Sequence, residues 1–151
     1  LVYAIGANSP EVAIDANSEE QKKLYVQGGT LIAVGGLESG AQISGGTCKQ
    51  TTSFTAEAWY ALYNGSELVA AFKTPTASNS SSGGGPGGRP GGGGPGGGSK
   101  KLVVYTSSTP ALKSGVTVSG GTEYFDGAAN IGGTVSGGSS VTLSNYSSGG
   151  R

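Results

Sequence analysis

Two groups of side chains in this sequence have types and spacing that could do chemistry. The first is acidic: Glu11, Asp15, Glu19, Glu20 and Glu38 fall close together near the start of the chain. A calcium ion takes about six to eight oxygen ligands, so Asp15 with Glu11, Asn17, Glu38 and carbonyls from nearby chain corners is a candidate set. The same residues could equally be solvated carboxylates on a loop. The second group is aromatic: Trp59, Tyr60 and Tyr63. The C–H face of a pyranose stacks on such rings while polar groups at the rim fix its orientation, which makes these three the candidate carbohydrate-binding residues. Their alternative role is to pack one strand face against the body of the protein.

Other chemistries are excluded by composition. There is no histidine, hence no Ser-His-Asp triad, no Cys-His dyad and no His-ligated metal. The single cysteine, Cys48, cannot form a disulfide within the chain and reads as a small buried residue. A glycosidase would need two carboxylates at a fixed separation, and no pair stands out. Nine basic residues balance nine acidic ones without a basic stripe, so a nucleic-acid footprint is missing. Apolar runs are far shorter than the roughly 20 residues of a membrane-spanning helix. Leu1 is not an initiator methionine, so we expect a processed, truncated or partial chain with any signal peptide upstream.

The elements that must position these groups are short strands. Leu1–Ala7 (LVYAIGA) and Thr30–Gly36 (TLIAVGG) align position for position, and each run of strand-forming residues ends at glycine. Gly-Gly-Thr recurs at 28–30, 45–47, 120–122 and 132–134, with Gly137-Gly138-Ser139 as a variant. Between these corners lie EVAID, KLYVQ, AQIS, VTVS and SVTLS. Short strands between glycine corners, repeating at intervals of roughly 20 to 30 residues, are the pattern of a β-solenoid. Its core would contain Val12, Ile14, Leu24, Val26, Leu31, Ala33, Val34 and Ile43. An antiparallel sandwich with glycine turns is the rival arrangement.

Residues 57–73 predict a hairpin, AWYALY and ELVAAFK around Asn64-Gly65-Ser66, because a type I′ turn needs two residues with positive φ. Alternation puts Tyr60 and Leu62 on one face and Trp59, Ala61 and Tyr63 on the other. Tyr124 and Phe125, beside Asp126-Gly127, read as a turn with one buried ring. Residues 83–98 contain twelve glycines, three prolines and Arg89, with nothing to bury, and form the heart of a linker. The expected organisation is solenoid rungs over 1–46, a strand and hairpin segment over 47–76 packing on their end, a Gly/Pro/Ser linker over 77–100, and a C-terminal β segment over 101–151.

The stretches VAIDANSEEQKKLYVQGGTLIAVGGLESGAQIS, WYAL with FKTP, and STPALKSGVTVSGGT with TVSGGSSVTLSNY resemble the C-terminal part of bacterial carbohydrate-binding domain proteins of Bacteroidetes and clostridia. The resemblance covers nearly all of the chain outside the linker and is most specific at IDAN and LYVQGGTLIAVGG. It implies a right-handed parallel β-helix like that of pectate lyases, calcium at Asp15, and binding of pectic or cellulosic polysaccharide without cleavage. A lyase site would add an arginine base beside the metal. The only arginines are Arg89 and Arg151, which argues against lyase activity.

These readings combine into an all-β, extracellular or cell-surface, non-enzymatic protein that binds polysaccharide. The alternative expectation is a structural subunit of an extracellular filament or matrix, self-associating through an open first rung whose backbone groups another chain could pair.

Overall fold

The computed structural model describes residues 1–6, 12–14, 16, 20–38, 40–75 and 101–146. It is all-β, as the sequence predicts, and no α-helix occurs among these residues. The strands are β1 (Val2–Ile5), β2 (Tyr25–Val26), β3 (Leu31–Val34), β4 (Gln42–Ile43), β5 (Thr47–Thr51), β6 (Trp59–Asn64), β7 (Glu67–Lys73), β8 (Leu102–Thr106), β9 (Pro110–Ser114), β10 (Thr117–Ser119), β11 (Thr122–Tyr124), β12 (Ala129–Ile131), β13 (Thr134–Ser136), β14 (Ser139–Val141) and β15 (Ser144–Asn145).

Parallel pairing is confined to the first 43 residues. β1 lies beside β3 with Val2 opposite Leu31 and Ile5 opposite Val34, the register in which the two sequence copies align. Two further parallel contacts follow in order along the chain: Ile14 bridges Leu37, and β2 pairs with β4 through Tyr25–Gln42 and Val26–Ile43. The ladder continues at the corners, where the Gly6 amide donates to the Val34 carbonyl and the Ala13 amide to that of Gly36.

Among the described residues, every strand after residue 46 pairs antiparallel. β8 lies along the other edge of β3, and β5 lies on the far side of β8, giving the five-stranded order β1-β3-β8-β5-β15. The second large sheet has the order β11-β12-β7-β6-β9-β14, and β10 pairs with β13 as a separate ribbon. The C-terminal β segment supplies β8, at the centre of one sheet, and β9, which lies beside β6 in the other; the predicted linker over 77–100 lies outside the described residues. The segment over 47–76 likewise divides its strands between the sheets rather than capping a coil.

Two cores lie on the two faces of the five-stranded sheet. Ile32, Val34, Leu102 and Val104 pack on Tyr60, Leu62, Phe72 and Leu112 of the six-stranded sheet. Leu31, Ala33, Val103, Tyr105 and Cys48 pack on Val26, Leu37 and Ala41, with Ile14, Leu24 and Ile43 partly buried around them. β3 and β8 are covered on both faces, which explains why LIAV and LVVYT are continuously buried rather than alternating. The corner between β4 and β5 runs so close to β8 that a Cβ on Gly46 would collide with the Thr106 carbonyl and the Tyr105 ring. The Tyr105 hydroxyl closes that corner by donating to the Ser44 carbonyl at 2.6 Å.

The predicted hairpin is β6–β7, with a different turn. Asn64 pairs with Glu67, so the loop is Gly65-Ser66, and only Gly65 has positive φ (69°). Glycine at the first loop position is the requirement of a type II′ turn, not type I′. Asn64 is free to act otherwise: its side-chain Oδ1 accepts from the Ser108 and Thr109 amides at 3.1 and 3.0 Å, tying the hairpin to the start of β9.

Candidate functional site

The start of β6 gathers the features that could bind a ligand. Tyr60 and Leu62 face the core, and Trp59 and Tyr63 face outward and are half-buried. This division corrects part of the predicted platform. Tyr60 is 2% exposed and its ring stacks on Phe72 at 5.7 Å, so it offers no open face to a sugar. The alternation that turns Trp59 outward turns Tyr60 inward. Trp59 and Tyr63 share the outward face with Ala61, which is itself buried and interrupts the row. The Lys113 ammonium stands 5.7 Å from the centre of the Tyr63 ring, within cation–π range.

Beside this end of β6 opens a cleft of about 410 Å³. Five hydroxyl side chains line it: Thr51, Ser53, Thr55, Ser114 and Thr142. Phe54, Tyr60 and Val141 supply its apolar surface, and among the described residues no charged side chain lines it. Tyr60 thus contributes to the site as a wall and not as a platform.

The cleft wall formed by residues 53–58 is held by several specific contacts. The Tyr60 hydroxyl accepts from the Thr55 amide at 2.8 Å. The buried Thr74 hydroxyl donates to the Thr55 carbonyl at 2.7 Å and accepts from the Ala58 amide at 3.0 Å. The Glu57 amide donates to the Pro75 carbonyl at 3.1 Å, and Glu57 itself has positive φ (51°), an uncommon conformation for a residue with a side chain. On the opposite wall, the Gly115 and Val116 amides both donate to the Trp59 carbonyl, at 2.9 and 3.3 Å, fixing the end of β9 against β6. A preformed cleft of this kind does not spend binding energy on ordering its own walls.

The acidic group is mostly not described: Glu11, Asp15 and Asn17 lie outside the described residues. Glu38 is half-buried at the corner after Leu37, where its amide donates to the Ile14 carbonyl at 2.9 Å. Among the described residues no group of three or more Asp, Glu, Cys or His could hold a metal ion.

The turn at Tyr124 and Phe125 forms as expected, but its rings are 45% and 51% exposed, so neither is buried. Cys48 is buried, and burial pushes its thiol from an ordinary 9.0 up to about 12. No helix is long and apolar enough to cross a membrane among the described residues.

Of the eight residues that line the cleft, sequence reasoning named only Tyr60 and missed Thr51, Ser53, Phe54, Thr55, Ser114, Val141 and Thr142. The available signal was the hydroxyl density of TTSFT (51–55) and SVTLS (140–144), two segments that only the folded topology brings together. No protein-family model matches the chain, and no curated protein or solved structure matches it either.

Proposed function

We propose that this chain is a non-catalytic polysaccharide-binding module of a bacterial surface, acting outside the cell. The hydroxyl-lined cleft at the start of β6 carries the reading. Its five hydroxyls can donate to and accept from sugar hydroxyls, and its apolar walls suit the C–H faces of a pyranose; Trp59 and Tyr63, on the opposite face of β6, offer a separate aromatic surface. The absence of charge along its described lining fits a neutral, cellulose-type chain better than a polyuronate of the pectic type, which would call for cations at the wall.

The non-catalytic part of the proposal rests on the residue census: no histidine, and arginine only at positions 89 and 151. The finer fold reading is that residues 1–46 form successive turns of a right-handed parallel β-helix. It is supported by three parallel contacts that follow one another in order along the chain, β1 with β3, Ile14 with Leu37 and β2 with β4. Calcium at Asp15, Glu11, Asn17 and Glu38 belongs to the same reading, and a melting temperature that rises with calcium and falls with chelator is its expected sign.

The test is retention on insoluble polysaccharide. The chain should sediment with cellulose and less with pectin. Trp59→Ala should weaken retention by about tenfold, the equivalent of ~1.4 kcal/mol, and Ser114→Leu, which fills the cleft, should abolish it. No retention on any glycan, or retention indifferent to both substitutions, would overturn the proposal.

A further inference from the structure

Three ribbons in the second half of the chain are one hairpin. Leu112–Ser114 of β9 pairs with Ser139–Val141 of β14, Thr117–Ser119 of β10 with Thr134–Ser136 of β13, and Thr122–Tyr124 of β11 with Ala129–Ile131 of β12. The register never slips between them, so Gly115-Val116 stands across from Gly137-Gly138, and Gly120-Gly121 across from Gly132-Gly133. The hairpin starts beside β6, where β9 pairs, and ends beside β7, where β12 pairs, on opposite flanks of the β6–β7 hairpin. Its middle ribbon, β10–β13, must therefore cross a face of β6–β7.

Asn130 shows which face. Tyr60 and Phe72 point into the core, so their neighbours Ala61 and Ala71, which pair with each other, point outward. Asn130 lies opposite Ala71, and its side-chain Nδ2 donates to the Gly120 carbonyl at 2.8 Å. The ribbon thus crosses the outer face, and its passage accounts for Ala61 and Ala71 being 0% and 1% exposed there. Val118 and Val135, paired and half-buried, face inward, while Thr117, Ser119, Thr134 and Ser136 are exposed. The corner beside Asn130 is tight, since a Cβ on Gly121 or Gly133 would collide with the Asn130 Oδ1.

We propose that β10–β13 is a lid latched by Asn130, which opens from the outer face of β6–β7 as one unit while the two sheets stay folded. Among the described residues the ribbon has no strand on either flank, and its inward side offers two half-buried valines and the Asn130 bond to hold it down. Few buried apolar contacts and a ladder open to solvent are the marks of a segment that opens below the free energy of global unfolding. Off the face the ribbon is alone, and a lone two-stranded ribbon does not keep its ladder. Both ends are pinned. The Gly115 and Val116 amides donate to the Trp59 carbonyl, and the Lys73 amide donates to the Ala128 carbonyl. Opening therefore bends the glycine corners and stops there, leaving Ser114 and Val141 of the cleft in place. It bares Ala61, between the outward-facing Trp59 and Tyr63, with Ala71 beside it. A closed lid divides that aromatic face, and an open one joins it.

Native-state hydrogen exchange of the full chain tests the lid. The hydrogen-bonded amides of β10 and β13 should exchange together, far faster than those of β3 and β8. They should also depend little on urea, because a local opening exposes little surface. Asn130→Ala should speed them roughly fivefold, the usual worth of one internal hydrogen bond. Gly133→Ala, which crowds the corner and leaves Asn130 in place, is the second variant and should act in the same direction. Tyr105→Phe is the control. Its bond to Ser44 survives in the open form, so losing it should speed β3 and β8 and leave β10 and β13 unmoved. Ribbon amides as protected and as urea-dependent as those of β3 and β8, ribbon amides quickened by Tyr105→Phe, or ribbon amides indifferent to both latch variants would each overturn the proposal. Glycan retention at the cleft is read separately and does not bear on it.

Discussion

Phe72→Ala is the sharpest perturbation of the body that holds the site. Phe72 is fully buried, stacked on Tyr60 and in contact with Tyr3, so one ring links β7 to the cleft wall and to the edge strand. Truncating a buried phenylalanine costs about 3–5 kcal/mol, cavity included. Two lost aromatic contacts push this toward the upper end, since each adds roughly 0.5–1.5 kcal/mol beyond buried area. We take ~4 kcal/mol, a large part of the roughly 5–15 kcal/mol that holds a domain folded. With a urea dependence of ~2 kcal/mol/M, the midpoint falls by about 2 M. The single tryptophan, Trp59, reports the transition by fluorescence. Phe125→Ala, half-exposed at its turn, is the control and should move stability by no more than about 0.5 kcal/mol. A loss below ~1 kcal/mol for Phe72→Ala, or equal losses for the two variants, would refute the placement of Phe72 between the sheets.

Two further outcomes follow from buried polar groups. Tyr105→Phe removes the hydrogen bond that closes the exposed β4–β5 corner at Ser44 and should cost about 0.5–1.5 kcal/mol by the same urea assay; a neutral result would contradict that bond's role. Burial raises the Cys48 thiol from 9.0, and the Tyr3 and Tyr146 phenols from 10.0, to about 12, with the Cys48 charge adding to the effect at Tyr146. These groups ionise earlier in the unfolded chain, which then binds fewer protons, so stability is full below pH ~9 and drains as pH rises toward ~12. The urea midpoint should therefore drop steadily above pH 9, and Cys48 should resist a thiol reagent at pH 8 until the chain unfolds; a midpoint flat to pH 11 would contradict this.

The legible part of the fold is the local part. Self-similarity between residues 1–7 and 30–36 fixed a pairing that the structure reproduces residue for residue, because a parallel register carries a repeat offset directly. The alternation of Tyr60 and Leu62 against Trp59 and Tyr63 was readable for the same kind of reason, and so was the hairpin. The position of β8 was not. LVVYT is a short continuous apolar run, which says that both faces are covered but not by what. It lies antiparallel along the edge of β3, and among the described residues the later strands pair antiparallel as well. The candidate site was half legible for a related reason. Trp59 and Tyr60 stood out by residue type, but the cleft joins Thr51–Thr55 to Ser114 and Thr142, and no local pattern connects them.

The most direct test of the central claim is a nuclear magnetic resonance titration of the chain with a soluble cello-oligosaccharide. Binding at the cleft predicts saturable shifts of the Thr55, Ser114 and Thr142 amides, with the amides of β10 and β13 unmoved. An unperturbed spectrum at millimolar sugar, or shifts confined to residues away from the start of β6, would contradict it.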